Sequence, residues 1–349
     1  MTWKEAAMET IRIALYGVGA MGARIGRSLL KKEGVEVVGA IDVDESKIGK
    51  DLGEALDINR LLDVKVADDP DDVLSKANVD VVIHSTQSYL RQAYPQIASA
   101  INHQANVIST CEELSYPYIA EPELAHRLDE LARNNGVTVL GTGINPGFLM
   151  DTLVITFTCV CTRIDQIRVM RVMNAATRRE PFQRKIGAGL TVDEFNERLR
   201  VEAITGHVGL AESASMIANA LKWKLDRIDV QPITPVIAQV PVESQVIKVE
   251  TGQVAGLHQS VKCIKDGKEV ITLDFQAYLG AEEEYDAITI NGVPNITEKI
   301  APCIHGDHGT VAIVVNSIPK VINAPPGLMT MKDMPVPSAV TEDMRAYLD

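Results

Sequence analysis

Aromatic residues make up only 4% of this 349-residue chain, and no run of basic residues interrupts it. Nucleic-acid binding uses cationic stripes against phosphates and aromatic platforms under bases, so both shortages argue against it. Lysine and arginine number 34 against 47 acidic residues, a formal net charge of −13, which also makes an anionic membrane surface a poor partner. No apolar run approaches the ~20 residues that a membrane-spanning helix needs. The opening MTWKEAAMET lacks the apolar core of a signal peptide and reads as a loose lead-in to the first strand. Cysteine is scarce as well. Cys111, Cys159, Cys161, Cys263 and Cys303 are odd in number and show no CxxC spacing, so a reduced cytoplasmic enzyme is expected rather than a disulfide scaffold. Repeats and low-complexity segments are missing too. What remains is 46% hydrophobic residues over a length that suggests two domains with real cores.

The richest stretch lies near the start. IRIALYG is a short apolar strand, GVGAMGARIGRSLL carries Gly17, Gly19 and Gly22 at GxGxxG spacing as strand turns into helix, and VEVVGAID ends on Asp42. Each part has a physical task in dinucleotide binding. Gly17 permits the tight turn, and Gly19 lets backbone N–H groups approach a pyrophosphate at the helix N-terminus. Gly22, with Gly26 a turn later, lets helix and strand pack closely. Asp42 stands where a carboxylate accepts hydrogen bonds from an adenosine ribose. The expected cofactor-binding set is Gly17, Gly19, Ala20, Met21, Gly22 and Asp42, with Ser85, Thr86 and Thr110 at later strand ends.

Strand and helix alternate through residue 145. VDVVIHST (79–86), NVIS (106–109) and 137–141 read as strands, with helices over 94–103 and 122–134 and an acidic stretch of short helices and one short strand over 44–72. This is the rhythm of a doubly wound parallel sheet of Rossmann type, with ligands beyond the strand C-termini. The rhythm then changes. Strands are expected at 164–174, 233–239, 244–249, 256–265, 269–279 and 286–292, with a Thr191-capped helix before Glu194, an amphipathic helix over 209–223, and an Asp-Gly hairpin at Asp266–Gly267. The fold class is therefore α/β: a dinucleotide-binding domain over 1–145, and an α+β substrate and dimerisation domain over 146–305 with a mostly antiparallel open sheet. The remainder, 306–349, is a helix and an extended proline-rich tail packing back on the first domain. The late strands over 233–292 give a sheet whose second face needs cover, and the few helices there predict burial against a second copy in a symmetric dimer.

Chemistry is expected at the strand exits. Ser85 and Thr86 offer hydroxyls near a pyrophosphate or ribose, or simply close a strand. Thr110, Cys111, Glu112 and Glu113 stand at the next exit. Alternation along extended backbone would point one carboxylate to the cofactor and the other away, and burial would raise the pKa of the inward one to suit proton transfer. Cys111 makes a poor nucleophile, with no histidine beside it in sequence and two carboxylates directly after it to disfavour the thiolate. His305 and His308 have ligand-like spacing but no evident third ligand, so no metal site is expected. Asn145, Phe148, Asn174, Arg171, Arg178 and His258 are candidates for the substrate side, though each such group alone is more often structural than a ligand; Met170, Met173 and Met216 read as core fillers.

YGVGAMGARIGRSLL, NVISTCEELSYP, GTGINPGFLMDTL, GLAESASMIANAL and NSIPKVINAPPGLMTMKDMP together resemble the 2,4-diaminopentanoate dehydrogenase family and its amine dehydrogenase relatives, over nearly all of 11–335. The first motif is generic; CEELSYP, GINPGF and APPGLMTMKD are specific. The resemblance implies oxidative deamination with NAD or NADP: hydride leaves the amine-bearing carbon, and water hydrolyses the iminium to a ketone and ammonia, or the reverse with a small ketone. It implies a glutamate that activates the water, Glu112 by preference and Glu113 next, and a homodimer. Asp42 favours NAD, while Ser46 and Lys47 lie close enough to help accept a 2′-phosphate. The rival readings are an imine reductase or alcohol dehydrogenase on the same scaffold, and a non-catalytic dinucleotide sensor.

Overall fold

In a computed structural model the chain is described over residues 10–348. All but the last residue of the MTWKEAAMET lead-in lies outside that range. Two compact units form, one running to Phe148 and resuming at Gly306, the other Leu149–His305.

The first unit opens with β1 (Ile11–Tyr16), α1 (Ala20–Leu29), β2 (Val35–Ile41), α2 (Leu52–Ala55), β3 (Val66–Ala67), α3 (Pro70–Ala77), β4 (Val81–His84), α4 (Leu90–Asn102), β5 (Asn106–Ser109), α5 (Pro122–Asn135) and β6 (Thr138–Gly141). The strands are short because their residues are nearly all apolar and buried on both faces, as in β4 and β6, where polar residues begin directly at the C-terminal end. Two apolar cores sandwich the sheet. Ile13, Leu15, Ile25 and Ile83 belong to one, and Val82, Ile97, Val107 and Leu128 to the other.

The second unit holds α6 (Thr152–Thr158), β7 (Arg163–Asn174), α7 (Glu180–Lys185), α8 (Val192–Arg200), α9 (Leu210–Ala220), β8 (Arg227–Val230), β9 (Thr234–Ile237), β10 (Val242–Glu243), β11 (Lys248–Val249), β12 (Val254–Lys265), β13 (Lys268–Tyr278), β14 (Tyr285–Val293) and β15 (Ile296–Ile300). Its main sheet runs β15-β14-β7-β13-β12-β8, with β9 also paired to β12. Only β7 and β13 pair in parallel; the other ladders are antiparallel. Asp266 and Gly267 turn the β12–β13 hairpin with φ of 51° and 71°, the left-handed pair that an Asp-Gly turn needs. Thr191 and Glu194 form the reciprocal capping box of α8.

The chain then rejoins the first unit as α10 (Gly306–Ile322) and β16 (Gly327–Met329). β16 adds a parallel edge strand to β6, giving the order β16-β6-β5-β4-β1-β2-β3. The tail expected as extended therefore closes the sheet.

Several sequence expectations change in the second unit. Of the strand expected over 244–249, only Lys248–Val249 is strand (β11); residues 244–247 form the tight turn that joins β10 to it. α9 is buried nearly all round, including Glu212, Ser213 and Ser215, rather than amphipathic. It packs on β12 and β13 and so covers one face of the sheet from within the chain. The opposite face is not the broad apolar surface anticipated. Alternation and register put Arg168, His258, Lys262, Thr272, Asp274 and Gln276 on it, interspersed with Met170 and Val172. Dimerisation cannot be argued from an exposed apolar sheet. α6, α7, β8 and β15 had no clear sequence signal, being short or polar. All five cysteines are free, and among the described residues no helix is long and apolar enough to cross a membrane.

Candidate active site

The order β4-β1-β2 places β1 between strands reached in opposite directions, so a crevice opens beyond the C-terminal ends of β1 and β4. The glycine loop sits there. Gly17 has φ +95°, and a Cβ on it would lie 2.6 Å from Ser85 O; a Cβ on Gly22 would lie 1.9 Å from Gly17 O. Both positions exclude any larger residue. At Gly19, by contrast, nothing lies within 4 Å of where a Cβ would be. Gly19 begins α1 without a side-chain cap, and the first turn of α1 holds no acidic residue. Open backbone at an uncapped helix N-terminus suits a diphosphate, so these residues fit a dinucleotide.

Asp42 follows β2. Its carboxylate accepts hydrogen bonds from Val18 N (2.7 Å) and Asp44 N (2.9 Å) and meets Lys47 Nζ at 3.2 Å. Ser46 donates its hydroxyl to Asp44 Oδ1 (2.6 Å), and Lys47 also pairs with Asp44 at 3.1 Å. Ser46 and Lys47 are thus engaged by carboxylates.

A cavity of about 240 Å³ adjoins the loop, bounded by Met21, Ser85, Thr110, Glu112, Thr142, Asn145 and Thr310 among others. It is smaller than the ~300–1,000 Å³ typical of drug-sized sites, so it takes a compact group. Met21, Ser85, Thr86, Thr110, Glu112 and Asn145 were all singled out from the sequence and are brought together here. The hydroxyls, however, do not face it as expected. Ser85 Oγ donates to Gly17 O (3.0 Å), clamping the glycine loop, and Thr86 Oγ1 donates to Gln96 Oε1 (2.5 Å). Thr142 and Thr310 were missed. Thr142 is the first residue past β6, so the strand-exit rule could have found it, whereas Thr310 arrives from α10 and carries no local signal. Thr142 Oγ1 is buried without a hydrogen-bond partner among the described residues.

The two glutamates part company. The strand ends at Ser109, Glu112 is helical (φ −63°, ψ −42°), and Glu113 starts a single 3₁₀ turn, so it is helical rotation that separates them and not the alternation of a strand. Glu113 Oε2 accepts a hydrogen bond from Leu90 N at 2.7 Å, capping the start of α4, and burial raises its pKa. Glu112 borders the cavity, and its carboxylate has no hydrogen bond or ion pair among the described residues. Its backbone is held tightly: Glu113 N donates to Ser88 O, Ser115 Oγ to Glu112 O, and the Leu114 backbone lies 2.4 Å from any Cβ on Gly141. Cys111 is buried, and burial followed by the neighbouring carboxylates pushes its thiol up to about 12, so it is no nucleophile.

The other candidates are engaged elsewhere. Phe148 packs against the core beneath the sheet. Asn174 Oδ1 caps the turn at Ala176 N (3.0 Å), the Arg178 guanidinium stacks 4.8 Å over Phe182, and His258 Nε2 meets Asp274 Oδ2 at 2.8 Å. Arg171 is fully buried against Asp286 at 2.5 Å and donates to Ile304 O at 2.6 Å. Of these five, Arg171 has the most complete structural role. No group of three or more His, Cys, Asp or Glu side chains suited to a metal ion occurs among the described residues.

Comparison with known proteins adds the following. The family described as the 2,4-diaminopentanoate dehydrogenase C-terminal domain matches residues 148–349, and that described as the dihydrodipicolinate reductase N-terminus matches 11–113. The chain is similar to the 2,4-diaminopentanoate dehydrogenase of Acetoanaerobium sticklandii, with 39% identity covering 97% of each chain. It is 22% identical to the amine dehydrogenase of Streptomyces virginiae over 95% of this chain and 98% of that one. Among solved structures it resembles the amine dehydrogenase from Mycobacterium smegmatis, with a TM-score of 0.83 and 29% identity over 96% of this chain and 99% of that one.

Proposed function

The chain belongs to the 2,4-diaminopentanoate dehydrogenase family, and we propose that it oxidatively deaminates 2,4-diaminopentanoate to 2-amino-4-oxopentanoate and ammonia. The observation that carries this reading is an unpaired carboxylate, Glu112, on a rigid loop bordering the cavity next to the glycine motif. Gly17, Gly19 and the N-terminus of α1 would hold a nicotinamide dinucleotide, which when bound would supply the hydride acceptor for the amine-bearing carbon. Glu112 takes a proton from the substrate ammonium, which frees the nitrogen lone pair that drives hydride departure. After losing that proton to solvent, the same carboxylate holds water against the iminium carbon and removes its proton as the C–O bond forms. Glu112 then returns this proton to nitrogen, and as ammonia leaves, the carbinol hydroxyl gives its own proton back to the carboxylate and the ketone forms. Glu113 is the positioning partner, holding the loop to α4.

Incubation with 2,4-diaminopentanoate and oxidised cofactor at alkaline pH is expected to yield reduced nicotinamide and one ammonia per turnover. Reduced cofactor without ammonia would favour an alcohol dehydrogenase. Tight cofactor binding with no turnover on a panel of amines would favour a sensor.

NAD is the proposed cofactor. Asp42 repels a 2′-phosphate, and Lys47, which could attract one, is held between Asp42 and Asp44. Asp42→Ala removes the repulsion and frees Lys47. One unit charge near 4 Å is worth about 1–4 kcal/mol at effective dielectrics between water and a protein surface, so the ratio of kcat/KM for NADP to that for NAD should rise roughly tenfold or more. An unchanged ratio would mean that Asp42 does not face the ribose.

Assembly as a homodimer is also proposed. Tyr278, Tyr285 and Val172 line an open hollow beside the exposed Val240 and the half-buried Val242, and a second copy would bury this patch. The mass by sedimentation is expected to be twice 38.0 kDa; a single-chain mass at micromolar concentration would refute it.

A further inference from the structure

A buried histidine, His84, lies beneath the cavity and takes no part in the reaction just described. It closes β4, is fully buried, and stands between Tyr16 of β1 and Ser109 of β5 in one row across the sheet. Its hydrogen bonds determine its tautomer. Ser109 Oγ accepts from Cys111 N (3.1 Å) and lies 2.8 Å from His84 Nδ1. His84 Nε2 lies 2.8 Å from Gln96 Oε1, which can only accept, and 2.9 Å from Thr86 Oγ1, whose proton goes to that same Gln96 oxygen. The acceptor face of Gln96 therefore puts a proton on Nε2, and burial, which pushes His84 down to about 4, leaves the ring neutral, so Nδ1 accepts from the Ser109 hydroxyl.

The chain of bonds ends at the cavity on both sides. Thr86 borders it, with its methyl against Gly17 of the cofactor loop. Cys111 N is the amide directly before Glu112. We propose that His84 is a positioning residue that cross-braces the exits of β4 and β5, fixing the Glu112 loop relative to the cofactor loop through Nδ1 and Ser109. This rests on the reading of Glu112 as the base. The acceptor at Nδ1 is the essential atom, since losing it turns the Ser109 hydroxyl away and releases the Cys111 amide.

Two substitutions separate the ring nitrogens. In His84→Asn the amide oxygen can take the place of Nδ1 and still accept from Ser109. In His84→Gln the amide reaches the Nε2 position and leaves Ser109 without its acceptor. Misplacement of a reacting group by ~1 Å can lower rates by up to about 100-fold. His84→Gln is expected to lose at least about tenfold in kcat, with KM for the amine and Kd for NADH within about threefold, whereas His84→Asn keeps kcat within about threefold. Amide hydrogen exchange by mass spectrometry should show faster exchange over residues 110–115 in His84→Gln only. Ser109→Ala cuts the brace from its other end and should match His84→Gln in both readouts, serving as the test if that variant fails to fold. Equal kcat in the Asn and Gln variants, or equal exchange over 110–115, overturns the proposal. If the wild-type protein turns over no amine, the functional reading fails, and the exchange contrast alone decides the brace.

Discussion

Glu112→Gln is expected to lower kcat for amine oxidation by about 10²-fold or more, the usual scale for losing a general base. Gln keeps the size and polarity of the side chain but cannot take a proton. The loop should not move, because its anchors are backbone groups and neighbours: Glu113 N to Ser88 O, Ser115 Oγ to Glu112 O, and Cys111 N to Ser109 Oγ. Cofactor affinity, measured by titration of NADH fluorescence, should therefore stay within about threefold, so the loss falls on the chemical step. Glu113→Gln is the internal control. Its oxygen can still accept from Leu90 N, so kcat should change only a few-fold while the helix start loses the favourable charge at its dipole, worth ~0.3–1 kcal/mol. A larger kcat loss from Glu113→Gln than from Glu112→Gln would reverse the assignment. Loss from neither would move the base elsewhere.

The second large effect is on stability. Asp286→Ala should destabilise the unit that contains it by about 3–5 kcal/mol, because it strands a fully buried guanidinium. Asp286 Oδ1 meets Arg171 at 2.5 Å, and its Oδ2 accepts from Ile304 N at 2.9 Å. Burial raises the Asp286 pKa while Arg171 pulls it down, and since an arginine does not lose its proton, removing the carboxylate leaves a bare charge. For a unit of this size the melting midpoint should fall on the order of 10 °C. Replacing both residues by apolar ones should restore much of the loss, as it often does for buried pairs. A raised KM for the amine without a change in melting would instead mean that Arg171 holds the substrate carboxylate.

The glycine motif, Asp42 and the strand exits were legible in the chain because each depends on local geometry. A turn that admits no Cβ, a helix that starts without a cap, and an apolar strand that ends in polar residues all leave their mark within a few positions. The same locality explains the Asp-Gly hairpin and the Thr191–Glu194 capping box. Side-chain direction was another matter. Ser85 and Thr86 border the cavity, yet their hydroxyls bond to Gly17 O and Gln96, because the nearest partner in space decides where a rotatable hydroxyl points. The two glutamates were placed together, but which one is free depends on Leu90 N, more than twenty residues earlier, claiming Glu113.

Periodicity in the second half showed a sheet without showing what covers it. A strand's alternation shows which residues share a face; only packing shows that α9 lies on β12 and β13 while charged residues line the other side. Arg171 reads in sequence as a cation available to a substrate, and becomes structural only when β14 brings Asp286 alongside it. Thr310 reaches the cavity from the far end of the chain because α10 rejoins the first unit. Backbone chemistry and apolar pattern thus determine the elements and the chemistry class, since both act over one or two turns of chain. The partner of each charge and hydroxyl is settled by contacts between residues far apart in sequence, where no local pattern carries the information.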